Sequence, residues 1–249
     1  YVPVDISGEF LNAQADALRK DFTDLSVYPV AADFTAPFAS PAEISGMPKV
    51  GFFPGSTLGN FEPHEAQAFL RSARDILGKG AQMIIGVDLE KSERVLYDAY
   101  NDSAGVTARF NLNVLVRINR ELGGAFDLGA FRHKAIWSPE ESRMEMHLES
   151  LCDQQAPAAG RTFAFRRGET IHTENSYKFT VPVFEDLAEQ GGGRREGCGP
   201  RRGAAEGGGG PRLLPPVRRG DREAPVGGDQ GSEVDPRVRC ETDARPRDR

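Results

Sequence analysis

The sequence predicts an α/β fold: a parallel, doubly wound sheet over residues 1–89, an inserted α+β module over 90–178, and a return to the first domain over 179–190. Three observations predict it. Short apolar runs alternate with amphipathic helical stretches as far as Asp88, the pattern of parallel strands covered on both faces. After Glu90 two helical stretches are followed by strand-like segments with only turns between them, which suggests an antiparallel layer. After Gln190 the composition changes abruptly, so the folded body is expected to end there.

The elements follow in order. Val2 to Ile6 is a short apolar run containing Asp5, and Ser7 can cap a helix through Lys20 with Phe10, Leu11 and Leu18 on one face. Val27 to Ala32 is a second run, ending in Asp33-Phe34, and Lys49 to Phe53 a third, closed by Pro54-Gly55. Pro63 opens a helix with a stripe of Phe69, Leu70, Ala73, Ile76 and Leu77, and Gly78 stops it. Met83 to Val87 is the fourth run, ending at Asp88. In the module, Val95 to Tyr100 and Phe110 to Leu122 read as helices. Phe131 to Trp137, Met144 to Leu151, Thr162 to Phe165 and Thr170 to Phe179 read as strands. Met144, Met146 and Leu148 alternate with Glu145, His147 and Glu149, the period of a half-buried strand.

Composition narrows the function classes. The chain has 249 residues, 3 Cys and a net charge of −6, too few cysteines for a disulfide scaffold and a reducing, cytoplasmic setting by expectation. No apolar run approaches the ~18 residues of a membrane span. The first 190 residues carry −9 and the last 59 carry +3, so the body lacks the basic surface of a nucleic-acid binder. The segment 191–249 holds 14 Gly, 13 Arg and 7 Pro with no aromatic residue. It is expected to be disordered, with a reading-frame shift near Gln190 as its origin, and it lacks the interleaved rings that stack on RNA. The chain opens on Tyr1-Val2-Pro3-Val4 without an initiator Met and is expected to begin inside a longer gene product.

In a parallel α/β sheet, ligands bind beyond the carboxyl ends of the strands, where this sequence places Asp5, Asp33-Phe34, Gly55 to Asn60, and Asp88. Asp5 either holds a ribose through its hydroxyls or charges a helix N-terminus. Asp33 with Phe34 either recognises an adenine, by accepting from its amino group and stacking on its ring, or forms an ordinary turn. The loop Gly55-Ser56-Thr57-Leu58-Gly59-Asn60 lacks the Gly-Lys-Ser/Thr ending of a phosphate loop; Asn60 is a hydrogen-bonding residue or a helix cap. Glu174 and Ser176 share a strand face and form either a site for a planar NH-bearing group or a solvated surface. The four histidines have no metal-ligand spacing, so no metal site is expected. There is no Gly-x-Ser-x-Gly elbow, and no Gly-x-Gly-x-x-Gly follows a strand in the body, against a hydrolase and a nicotinamide enzyme.

Six segments taken together carry a family resemblance: Val2-Pro3-Val4-Asp5-Ile6-Ser7, Phe53-Pro54-Gly55-Ser56-Thr57-Leu58-Gly59-Asn60-Phe61, Gly86-Val87-Asp88-Leu89-Glu90-Lys91, Ala99-Tyr100-Asn101-Asp102, Phe110-Asn111-Leu112-Asn113, and His172-Thr173-Glu174-Asn175-Ser176-Tyr177-Lys178. In order and at similar spacing from Tyr1 to about Glu189, they resemble the histidine-specific, S-adenosylmethionine-dependent Nα-methyltransferases of ergothioneine biosynthesis. The resemblance implies a Rossmann-like class I methyltransferase sheet, incomplete here, with an inserted substrate-recognition domain. It implies three methyl transfers to the α-amine of L-histidine, giving hercynine, by a monomer with S-adenosylmethionine as cofactor. By the same resemblance Asp5 serves the ribose, and Asp33 and Phe34 serve the adenine. Asn60 and Tyr100 hold the carboxylate and orient the amine, Glu174 and Ser176 take the imidazole, and Met144 packs near it.

The sequence also departs from that family. The Gly-rich cofactor loop and N-terminal substrate-contacting tyrosines lie upstream of Tyr1, and the last two sheet strands do not follow Gln190. A fragment of weak or no activity is therefore expected. Two other readings stay open: a methyltransferase for a different amino acid, and a catalytically dead fragment that only binds ligands.

Overall fold

Val4–Asp5 (β1) and Val30–Ala31 (β2) pair in parallel, Val4 opposite Val30, and Gly8–Asp21 (α1) connects them. This structure, a computed structural model, describes residues 1–193; the tail expected to be disordered and frameshifted lies outside the described residues from 194 onward. Both strands are shorter than their apolar runs predict. Pro3 removes a ladder donor just ahead of β1. Ser7 stands at the N-cap of α1 but does not cap it with its side chain; its N–H donates to Asp5 Oδ1 at 2.7 Å.

Val50–Phe53 (β3) and Gln82–Ile85 (β4) form a second parallel pair, Val50 opposite Gln82, joined by Pro63–Leu77 (α2). α2 starts with Pro63 in its first turn and a reciprocal capping box between Glu62 and Glu65. Its buried residues are Ala66, Phe69 and Leu70, so the inward stripe sits nearer the helix start than predicted. They pack with Leu58, Tyr177, Phe179 and Leu187, and with the half-buried rings of Phe34 and Phe53.

Two expectations need correction. The predicted continuous sheet is present as two parallel pairs that do not hydrogen-bond to each other among the described residues. The strands are also not covered on both faces: Phe53, Met83 and Ile85 join the core, but Val50, Phe52 and Ile84 on the opposite face are exposed at 64, 67 and 58%. α2 shields one face only.

Two helices, Glu93–Tyr100 (α3) and Val106–Glu121 (α4), precede an antiparallel sheet of Phe131–Ser138 (β5), Arg143–Ser150 (β6) and Thr170–Tyr177 (β9), ordered β5-β6-β9. A separate hairpin, Gln154–Ala158 (β7) and Arg161–Phe165 (β8), lies between β6 and β9 in sequence. β7 was not predicted, because its polar Gln154-Gln155 and Pro157 carry no strand period; a two-stranded hairpin tolerates proline. The alternation along β6 also breaks. An irregularity between Met146 and His147 shifts the register against β9, and Met146, His147 and Leu148 are all buried. Met144 therefore packs with Leu96 and Ala135, whereas Leu148 joins Leu115, Phe126 and Phe131 in a second cluster.

After β9 the chain returns beside β4. Phe179 N–H donates to Asp88 O at 2.9 Å and Glu90 N–H to Phe179 O at 3.0 Å. The last described helix is Val181–Gln190 (α5), capped by Thr180. No helix among the described residues is long and apolar enough to cross a membrane.

Candidate functional site

The site is built where the ends of β3 and β4 meet β9. Gly55 and Ser56 both adopt left-handed backbone (φ 79° and 59°) and reverse the chain after β3 into a 3₁₀ turn, Thr57–Asn60. That conformation is uncommon outside glycine. Here the Ser56 hydroxyl accepts the Asp88 N–H at 2.9 Å, tying the end of β3 to the end of β4. Gly59 is needed for contact: a Cβ there would lie 2.8 Å from the carbonyl oxygen of Tyr177. The turn thus lies directly on β9 and delivers Asn60 to it.

Glu62, next along the chain, locks the same junction. One carboxylate oxygen accepts from Asn175 Nδ2 at 2.8 Å and from Arg143 at 3.3 Å, and the other from the Tyr177 hydroxyl at 2.7 Å. Arg143 also holds Glu145 at 2.7 Å. Burial pushes the Glu145 carboxyl up, but its bonds to Arg143 and His147 outweigh that and leave it below its ordinary value.

Four of the residues singled out in the sequence line one cleft of about 520 Å³: Asn60, Tyr100, Glu174 and Ser176. Asn60 Nδ2 donates to Glu174 Oε1 at 2.9 Å and to the Asn175 carbonyl at 2.8 Å. Both amide hydrogens are spent, so Asn60 Oδ1 and Glu174 Oε2 remain as acceptors. The Tyr100 hydroxyl, from the end of α3, donates to Ser176 Oγ at 2.7 Å. The cleft also borders Gly86 and Asp88 at the carboxyl end of β4.

Sequence reasoning missed the residue at the centre of this cluster. The Lys178 side chain is only 1% exposed, and its ammonium donates to Tyr100 Oη at 2.8 Å and Ser176 Oγ at 2.7 Å and pairs with Asp88 at 3.2 Å. Burial pushes the Asp88 carboxyl up, but Lys91 and Lys178 together hold it below the usual carboxylate range. The available signal was a lysine directly before Phe179, where the chain rejoins an apolar core and a cation requires a partner.

Asp5, Asp33, Phe34 and Met144 do not line this cleft. Met144 is fully buried and opposite Ser176 across the β6–β9 pair, with Tyr100 and Trp137 packed against its cluster. Asp5 and Asp33 stand at and just beyond the carboxyl ends of β1 and β2. Each carboxylate uses Oδ1 locally, Asp5 for the Ser7 N–H and Asp33 for the N–H and hydroxyl of Thr35. The Thr35 bonds hold Asp33 below its ordinary value. Phe34 meets Phe53 and Phe69 edge-to-face, with centroids 5.6 and 6.1 Å away.

Glu145, His147 and His172 bring ligand-capable atoms within 4.8 Å of one another, which no sequence spacing indicated. The two imidazoles stack at 4.5 Å with planes 17° apart, so their in-plane lone pairs run side by side instead of converging. Glu145 is already committed to Arg143.

Residues 1–198 match a family model described as "Histidine-specific methyltransferase, SAM-dependent". A histidine N-alpha-methyltransferase of Mycolicibacterium smegmatis is 36% identical over 198 residues, covering 77% of this chain and 60% of the relative. A histidine N-alpha-methyltransferase of Mycobacterium tuberculosis matches with the same identity and coverage. Ergothioneine biosynthesis protein 1 of Neurospora crassa is 34% identical over 106 residues, covering 37% of this chain and 12% of the relative. The chain thus spans about 60% of the length of the two bacterial relatives it matches.

Proposed function

The chain belongs to the histidine-specific, S-adenosylmethionine-dependent methyltransferase family, and from that premise we propose that its cleft binds L-histidine for methylation of the α-amine, in three transfers that yield hercynine on the way to ergothioneine. One observation carries the reading: Asn60, Tyr100 and the Glu174–Ser176 pair, three segments far apart in sequence, share a cleft at the carboxyl ends of β3 and β4. That is where an α/β sheet takes its ligands.

Asp5, Asp33 and Phe34 suit the cofactor. Both carboxylates stand at parallel strand ends with Oδ2 uncommitted, ready to accept ribose hydroxyls and an adenine amino group, and the half-buried Phe34 ring offers apolar contact. When bound, S-adenosylmethionine supplies a methyl group on a sulfonium. The chain's own contribution is placement, which an in-line displacement rewards heavily. Asn60 and Tyr100 take the amino-acid end and orient the amine, with Asn60 Oδ1 free to accept one of its hydrogens. Glu174 Oε2 is free to accept an imidazole N–H, and Ser176 lies two residues along the same strand. Met144 backs the Tyr100 ring and keeps it seated. The antiparallel layer built on β5, β6 and β9 thereby acts as the substrate-recognition part, and β1 to β4 as the cofactor part.

Calorimetric titration of the chain with L-histidine in the presence of S-adenosylhomocysteine, beside mass detection of mono-, di- and trimethylated histidine, tests this. Heat from histidine but not from leucine or tyrosine supports it. Equal response to all three rejects histidine specificity, and heat from cofactor alone leaves a ligand-binding chain without substrate recognition.

A further inference from the structure

Hydrogen counting at the buried ammonium goes one step beyond that reading, on which it rests. Lys178 has three N–H donors and no acceptor. All three are committed, to Tyr100 Oη, Ser176 Oγ and Asp88 Oδ2. Lys178 therefore offers a ligand nothing directly. Its effect falls on the two hydroxyls. Ser176 Oγ accepts from Lys178 at 2.7 Å and from the Tyr100 hydroxyl at 2.7 Å, which fills both of its lone pairs. Only its own hydrogen is left, so Ser176 faces the cleft as a donor. Tyr100 has given its hydrogen to Ser176 and faces the cleft as an acceptor. The bond runs from Tyr100 to Ser176, so the pair keeps one hydroxyl hydrogen for a ligand, on Ser176.

Beside this donor, on the same strand face, Glu174 Oε2 is an acceptor. A ligand ring that satisfies both must carry one N–H and one lone pair. We propose that Lys178 is a positioning residue that fixes Ser176 as a hydrogen donor, so that the site selects the neutral imidazole in a single tautomer, its N–H on Glu174 and its bare nitrogen on Ser176. A ring with an N–H but no lone pair leaves the Ser176 donor buried and unpaired, and such mismatches are strongly rejected.

The test compares L-histidine with L-β-(pyrrol-2-yl)alanine, which keeps a ring N–H but has C–H in place of the accepting nitrogen. Affinities are measured by calorimetry on the full chain with S-adenosylhomocysteine present. The unmodified chain should prefer histidine by about 100-fold. Lys178→Met frees a lone pair on Ser176 and should narrow that preference to about tenfold or less, with S-adenosylhomocysteine affinity within about twofold of its original value. Asp88 keeps Lys91 as a partner in this variant, which limits the damage to the fold. Should Lys178→Met nevertheless fail to fold, Ser176→Ala carries the test, because it removes the donor and should narrow the preference with Lys178 in place. Full preference retained in either folded variant, or no preference in the unmodified chain, overturns the assignment while leaving histidine binding intact. No histidine binding by the unmodified chain overturns the functional reading itself.

Discussion

In the proposed reading Glu174 is the residue on which substrate choice turns, because it contributes one oxygen to Asn60 and leaves the other for a ligand. Glu174→Ala should weaken histidine binding by about 100-fold, the order of a lost charge-assisted hydrogen bond with its partner left unsatisfied, and change S-adenosylhomocysteine affinity by less than about twofold. Calorimetry on both ligands checks it; equal losses would make Glu174 a residue of the fold. At this scale the sequence was legible where polar residues interrupted apolar grammar. Glu174 and Ser176 stood out because their two-residue spacing puts them on one strand face. Asp88 stood out as a polar strand end but without a role. Lys178 stayed hidden because what makes it central is burial against Tyr100 and Asp88, partners 78 and 90 positions away in sequence.

Elements were legible in kind and less so in extent. Pro63 and Gly78 bracketed α2 correctly, since proline suits a first turn and glycine a helix end. The β6 irregularity left no mark in the sequence, where Met144, Met146 and Leu148 keep an unbroken period that the register against β9 does not. The turn before Asn60 depends on one missing side chain. Gly59→Ala would press a Cβ against the Tyr177 carbonyl at 2.8 Å, and only backbone movement relieves it. The expected cost is about 1–3 kcal/mol in chemical denaturation, typical of overpacking. Because Asn60 follows directly, histidine binding should weaken as well. A second element depends on Asp102, which accepts the N–H groups of Val106 and Thr107 at 2.8 Å each and so caps α4; these bonds draw its carboxyl down to about 2. Asp102→Ala should lower the thermal midpoint of the chain by about 3 °C.

Across the whole molecule, acid should loosen the antiparallel layer first through His147. Burial pushes this imidazole below its ordinary value more than the bond to Glu145 raises it. The folded chain therefore keeps His147 neutral where the unfolded chain already binds a proton. Stability should be full above about pH 6.5, the unfolded value, and should decline as pH falls below it, by at most about 1.4 kcal/mol per pH unit from this group. Urea midpoints across that range should show the slope, and His147→Gln should flatten it. The α/β class and the antiparallel layer were readable from the change of period near Glu90. The separation of the parallel strands into two pairs was not, because strand adjacency is a property of hydrogen-bond partners and not of any single run.

The bare face of β3 and β4 has a practical outcome for anyone handling the molecule. Val50, Phe52 and Ile84 form an oily strip at the surface, and such strips attract one another. Ammonium sulfate, which is excluded from protein surfaces, should drive the chain into turbid clusters at lower concentrations than it does a Phe52→Lys variant. Static light scattering during a sulfate titration would separate the two, and a purification scheme should avoid hydrophobic-interaction resin for the same reason.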